Sequence, residues 1–269
     1  MHKQLQLSFT VLAVAGLLLA PAAQAAPPKD PPTKCAPDAV LVGSVCIDTY
    51  EASMWRIPDP FGANKGLVKN VRKGKAELQD LLDGGATQLG VGSDNYTTCL
   101  DKGSGCKDDV YAVSLPSVTP SAYMTWFQAT IACANAGKRL PSNAEWQMAV
   151  TGSPDPGADN GTSDCNTAST FTVAATGSRG SCISAFGAVD MVGNLYEWVA
   201  DWVPRSTTCG TWSGSGDDQC LAGAATTGEP GALLRGGDFS VGASAGPLTV
   251  FGLARPSDAG SAVGFRCAR

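Results

Sequence analysis

Apolar residues in this chain come in short runs separated by turn residues, and few stretches are long enough to predict regular elements. Val40-Leu41-Val42 and Val45-Cys46-Ile47-Asp48 flank Gly43-Ser44, which predicts a hairpin of two short strands. Thr125-Trp126-Phe127-Gln128 has the form of a capping box, with Thr125 as N-cap and Gln128 three residues in. It predicts a helix running to about Asn135 and stopping at Gly137. Ser142-Asn143-Ala144-Glu145 opens a second helix through about Val150, its entry fixed by Pro141. A shorter helix is expected over Lys75–Leu82. Tyr196, Trp198 and Trp202 recur at near-helical spacing and read as core anchors, as do Trp126 and Trp146. Beyond Val150 the chain is loop-rich, in keeping with its 32 Gly and 17 Pro, and no internal repeat is visible.

The first residues change the picture of where the protein works. Lys3 precedes an uncharged apolar run, Leu7 to Ala20, and Ala23-Gln24-Ala25 fits a small-x-small cleavage site. Residues 1–25 are expected to be a signal peptide, because the run is too short to span a bilayer and no second one follows. Residues 26–34, rich in proline, form a stiff linker, and one large domain of 35–269 follows. The protein is expected to be exported, periplasmic or extracellular, with no membrane span after cleavage.

Removal of Lys3 leaves 18 basic against 24 acidic residues, a net charge of −6, which argues against nucleic acid as a partner. One cluster runs the other way: Lys65, Lys69, Arg72, Lys73 and Lys75. It reads as a solvated loop face, or as a dock for an acidic partner. It lies within residues 60–115, expected to be an insertion on the core.

Cleavage also removes His2, the chain's one histidine. The mature chain can then run neither Ser-His-Asp nor Cys-His catalysis, and it cannot build a His-ligated zinc or iron site.

Ten cysteines in an exported chain imply a disulfide framework whose pairing the sequence does not fix. Local loop closure favours Cys35–Cys46, Cys99–Cys106, Cys165–Cys182 and Cys209–Cys220, leaving Cys133 and Cys267.

Three stretches are informative when taken together. They are Gly137-Lys138-Arg139-Leu140-Pro141-Ser142-Asn143-Ala144-Glu145-Trp146, Asp190-Met191-Val192-Gly193-Asn194-Leu195-Tyr196-Glu197-Trp198, and Arg235-Gly236-Gly237 with a closing Gly264-Phe265-Arg266-Cys267. In this order the chain, over roughly residues 38–269, resembles the formylglycine-generating enzyme (sulfatase-modifying factor) family. The resemblance implies an α+β, loop-rich, C-type-lectin-like domain, disulfide-stapled, with Cys133 joined to Cys267.

It also implies a structural calcium, an ion that takes six to eight oxygen ligands. Val192 and Leu195 would bind through carbonyls, Asn194 and Glu197 through side chains, with Asn166 and Thr167 starting a second site. The alternative is that Asn194 caps the turn and Glu197 pairs with an Arg or Lys. Enzymes of the family oxidise a peptide cysteine using copper held by two thiolates, soft ligands suited to Cu(I). Aligning the Gly-Gly pair puts Val241 and Gly246 at those positions, so copper is not expected. The candidate ligand surface is then Asp238, Ser240, Ser244, Arg255 and Asp258, and the expected role is a binding or accessory module for an unknown ligand, peptide or protein. The alternative is an oxidoreductase or maturation enzyme of the same family, acting on a secreted peptide or metabolite with non-thiol chemistry.

Overall fold

A computed structural model describes residues 34–92, 95–106, 108–204, 210–220 and 230–269. The expected hairpin forms first: β1 (Ala39–Val42) and β2 (Val45–Asp48) pair antiparallel, with Gly43 at φ +58° in the turn between them. Strand β3 (Ala52–Arg56) follows and becomes the centre of a three-stranded antiparallel sheet, between β4 (Thr87–Leu89) and β5 (Val110–Ser114).

Between β3 and β4 stand helices α1 (Lys65–Arg72) and α2 (Leu78–Asp83). The basic cluster therefore lies largely on a helix, where a loop face was expected. Val68 and Val71 give that helix an apolar face turned to the core. The predicted helix over Lys75–Leu82 starts later, at Leu78, because Glu77 and Asp80 form a capping box there. Residues 60–115 supply core side chains, among them Leu81, Leu89, Val110 and Tyr111.

Helices α3 (Trp126–Asn135) and α4 (Asn143–Ala149) stand where their capping boxes predict, with Thr125 and Ser142 as N-caps. Past α4, the main sheet has six strands in the order β11-β6-β9-β10-β8-β7. These are β6 (Tyr196–Val203), β7 (Gly210–Thr211), β8 (Asp218–Cys220), β9 (Gly231–Arg235), β10 (Val250–Phe251) and β11 (Val263–Phe265). Tyr196, Trp198 and Trp202 thus lie on a strand and not on a helix. Tyr196 and Trp198 are buried, whereas Trp202 is 43% exposed. Trp126 and Trp146 sit on α3 and α4, Trp146 fully buried and Trp126 half-buried.

Residues 266–269 tie the molecule together. Cys46 and Arg269 exchange backbone hydrogen bonds of 3.0 and 2.8 Å, and Arg139 and Ala268 exchange another pair. Four disulfides match the expected pairing: Cys35–Cys46, Cys99–Cys106, Cys133–Cys267 and Cys165–Cys182. Cys220 is disulfide-bonded, and Cys209 lies outside the described residues, as do the expected signal peptide and nearly all of the linker. Among the described residues no helix is long and apolar enough to cross a membrane.

Candidate functional site

The turn leading into β6 holds three residues in the left-handed region: Asp190 (φ +56°), Gly193 (φ +71°) and Asn194 (φ +59°). Asn and Asp tolerate this conformation better than other residues with a Cβ. Position 193 needs glycine for a second reason, since a Cβ there would overlap the carbonyl of Asn166.

The Asn194 amide is fully used. Its Oδ1 accepts from Ala174 N (2.8 Å) and Asn166 Nδ2 (3.1 Å), and its Nδ2 donates to Glu51 Oε2 and Ala174 O. Glu51 Oε1 accepts from Leu195 N at 3.0 Å, so this carboxylate brackets the turn. Three residues on, Glu197 forms a buried bidentate pair with Arg266: Nη2 to Oε1 is 2.6 Å and Nε to Oε2 is 2.8 Å. Trp146 Nε1 donates to Glu197 Oε2 at 2.7 Å. Arg266 also donates to the carbonyls of Asp48, Thr49 and Val189, which anchors the terminal Gly-Phe-Arg-Cys motif in the core.

Burial pushes the Glu51 carboxyl well up, and the nearby Asp190 and Glu197 charges push the same way. Burial likewise raises Asp190 to about 6, against the Gly177 N–H and the Arg266 charge. For Arg266, burial opposes the charge, but Glu197 and its neighbours outweigh it and raise the pKa.

In this arrangement the side chains of the expected calcium residues Asn194, Glu197, Asn166 and Thr167 all have protein partners. Each oxygen of Glu197 already has donors, and a cation bound there would sit beside the Arg266 guanidinium. Asn166 Oδ1 accepts from Thr170 Oγ1 and Arg179 Nη2, while Thr167 N and Oγ1 turn to Asp159. Among the described residues no group of three or more His, Cys, Asp or Glu is placed to hold a metal. Asn194 caps the turn and Glu197 pairs with an arginine.

The Gly-Gly segment follows β9. Gly236 and Gly237 both have positive φ, and a Cβ on Gly237 would stand 2.5 Å from Ala245 Cα. Past them, Asp238 Oδ1 accepts from both the N–H and the hydroxyl of Ser240, each at 2.7 Å. Burial raises the Asp238 carboxyl, against those two hydrogen bonds. Val241 packs partly buried against both halves of the core. Gly246 lies against Asp217, whose carboxylate fills the space a side chain would need. Asp217 is fully buried; its Oδ2 accepts from Leu248 N at 2.8 Å, and its Oδ1 lacks a partner among the described residues. Nearby, the Arg235 guanidinium stacks 4.6 Å from the Trp146 ring centroid and binds Gln147 Oε1. Burial lowers the Arg235 pKa to about 10, against the pull of Asp217.

The described hydrogen bonds of the five candidate ligand residues are local ones. Asp238 and Ser240 bond to each other beside Phe239. The Ser244 carbonyl accepts from Thr249 Oγ1. Arg255 N donates to Asp258 Oδ2 in a separate turn. What the segment does supply is Phe239, which lines a cleft of about 360 Å³ with Tyr123, Phe171, Pro120, Val91 and Ser261. Phe171 is 65% exposed, and both Phe171 and Tyr123 have positive φ. A second apolar hollow, about 270 Å³, lies at Phe127, Trp202 and Pro256. Sequence reasoning missed Phe171, Tyr123 and Asp217, which carry no motif; Phe239 stood beside the Gly-Gly pair.

The sulfatase-modifying factor enzyme 1-like domain model matches residues 96–269. The formylglycine-generating enzyme of Thermomonospora curvata is 35% identical over 101 residues, 31% of this chain and 33% of that protein. The serine/threonine-protein kinase Pkn1 of Chlamydia trachomatis is 35% identical over 88 residues, 31% of this chain and 14% of that protein. The chain therefore spans about a third or less of these two relatives. PvdO from Pseudomonas aeruginosa aligns at a TM-score of 0.42 and 21% identity, covering 84% of this chain and 80% of that one. With its Gly-Asn-Leu-Tyr-Glu-Trp turn clamped to a terminal Gly-Phe-Arg-Cys on a loop-rich α+β scaffold, the chain belongs to the family of the sulfatase-modifying factor enzyme 1-like domain.

Proposed function

We propose that this is an exported member of the family that lacks copper-dependent cysteine oxidation and works as a binding module. The observation that carries this reading is the pair Val241 and Gly246 at the two positions aligned with thiolates. An aliphatic side chain and a hydrogen offer copper no donor. The Asp217 carboxylate against Gly246 supports it further, because it occupies the room a cysteine would need. No cysteine described here is free to substitute. Four disulfides support export, since such bonds persist in oxidising compartments.

The ligand face of this reading is the Phe239 cleft. Its aromatic walls with hydroxyl groups at Ser261 and Thr119 suit a mostly apolar ligand with one or two polar contacts. Asp217 and Arg235 line neither this cleft nor the hollow at Trp202, so a buried carboxylate and arginine do not meet a substrate at either.

The test is direct. Folded protein is incubated with Cu(I), oxygen and a Cys-x-Pro-x-Arg peptide, and the peptide is weighed by mass spectrometry. Unchanged mass is expected; formation of formylglycine would overturn the proposal. Saturation-transfer NMR with N-acetylphenylalanine amide then probes the cleft. A signal that is lost in Phe171→Ala is expected, and one indifferent to that change would place the ligand face elsewhere.

A further inference from the structure

Helix α1 and the residues before it build a groove of about 320 Å³, lined by none of the residues of the Phe239 cleft. Its apolar lining is Pro60, Phe61 and Val68, and Lys65, Lys69, Arg72 and Lys73 stand around it. Phe61 is 65% exposed and stands next to Pro60 and Val68, so the apolar surface here is contiguous within the groove. Lys65, Lys69 and Lys73 follow one another at four-residue spacing, which puts them along one side of the helix. Among the described residues none of these three lysines has an ion-pair partner. Arg72 is aimed by a 2.9 Å hydrogen bond from its Nε to Asn135 O. The first turn of α1 holds no acidic residue, and Asp59, the carboxylate nearest in sequence to Phe61, accepts from Ala63 N at 2.7 Å.

We propose that this groove docks an acidic segment of a partner protein, seated by one large apolar side chain between carboxylates. Charge selects the class of partner: a chain of net charge −5 concentrates four cations at one groove. Shape selects a peptide over a lipid surface. The groove, about 320 Å³, has room for one side chain beside the exposed Phe61 ring, which suits a peptide segment with a single apolar anchor. The anchor meets Phe61 and Val68 while its flanking carboxylates reach the lysines, so the apolar contact supplies affinity and the charges supply encounter rate and orientation.

The experiment uses the full chain with its disulfides formed and a fluorescent peptide, Asp-Glu-Asp-Phe-Asp-Glu-Asp, read by anisotropy. Saturable binding is expected, weakened about tenfold or more by Phe61→Ala and by the paired charge reversal Lys69→Glu/Lys73→Glu. Both changes fall on exposed side chains, and circular dichroism checks that the variants fold. Replacing the peptide's Phe by Ala is expected to weaken binding to the same extent. Absence of saturable binding, or equal binding of the Phe-free peptide, overturns the proposal. Stronger retention of the protein on phosphatidylglycerol vesicles than on the peptide also overturns it, in favour of a membrane.

Discussion

The carboxylate of Asp217 fills the space that any side chain at position 246 would occupy: a Cβ built on Gly246 overlaps Asp217 Oδ1. The two residues come from different parts of the chain, Asp217 just before β8 and Gly246 in the loop between β9 and β10. Their fit excludes a thiol at 246 without rearrangement. Gly246→Ala should therefore destabilise the protein by about 1–3 kcal/mol through overpacking. In an Asp217→Ala background the same change should cost clearly less, because the obstacle is gone. Denaturant unfolding of the four proteins measures the coupling. Additive costs would mean that the two residues do not compete for one space.

The buried pair Glu197–Arg266 makes a second, asymmetric prediction. Arg266→Met removes the cation that the charges of Glu197, Glu51 and Asp190 act on and leaves those three carboxyl groups without it. Stranding buried charge in this way costs about 3–5 kcal/mol. Glu197→Gln removes one carboxylate but leaves Arg266 near the other two, and the amide can still meet Trp146 Nε1. The arginine variant should therefore be the less stable of the two by urea titration. The reverse order would show that Arg266 owes its place to Glu197 alone.

How much of this was legible beforehand depends on the range of each interaction. The capping boxes at Thr125 and Ser142 are complete within four residues, so α3 and α4 fall where the sequence predicts. Helix α1 has an Asn64 N-cap that makes no side-chain cap hydrogen bond, and its basic residues hid its apolar face. The 196–202 aromatics suggested a helix through the four-residue interval from Trp198 to Trp202, but their spacing of i, i+2 and i+6 fits alternation along a strand equally well, and the pairing of β6 with β9 shifts register between those two tryptophans. Glu197 meets Arg266 across 69 residues and Asn194 meets Glu51 across 143. Sequence could name Asn194, Glu197 and Arg266, but not Glu51, and it could not decide whether the oxygens of Asn194 and Glu197 faced a metal ion or protein donors. Asp217 belongs to no motif, and only the packing at Gly246 reveals it.

The disulfides should differ in worth by the loops they close. Cys133 and Cys267 are 134 residues apart, Cys165 and Cys182 only 17. In the chain-entropy model the longer loop contributes about 4–5 kcal/mol and exceeds the shorter by about 2 kcal/mol. Replacing each pair with alanines and comparing unfolding midpoints tests this. Equal losses would point to enthalpic terms at the Cys165–Cys182 site that offset the difference in loop length.

Asp190 gives the protein a dependence on pH that can be isolated by one substitution. Burial raises its folded-state pKa to about 6, from an ordinary value of 3.8, despite the 2.7 Å hydrogen bond from Gly177 N. Between those two values the folded state keeps a proton that the unfolded state has lost. The stability linked to that proton is fully present below about pH 4 and is lost as pH rises through 6. Asn at this position keeps the acceptor for Gly177, tolerates the left-handed backbone at φ +56°, and carries no titrating group. The stability of Asp190→Asn relative to the parent should therefore rise between pH 4 and pH 7, by about 3 kcal/mol at most. Every other titrating group is shared by the two proteins and cancels to first order. Parallel stability curves across that range would mean that Asp190 ionises normally in the folded protein, and that the Glu51–Asp190–Glu197 cluster is better solvated than its burial implies.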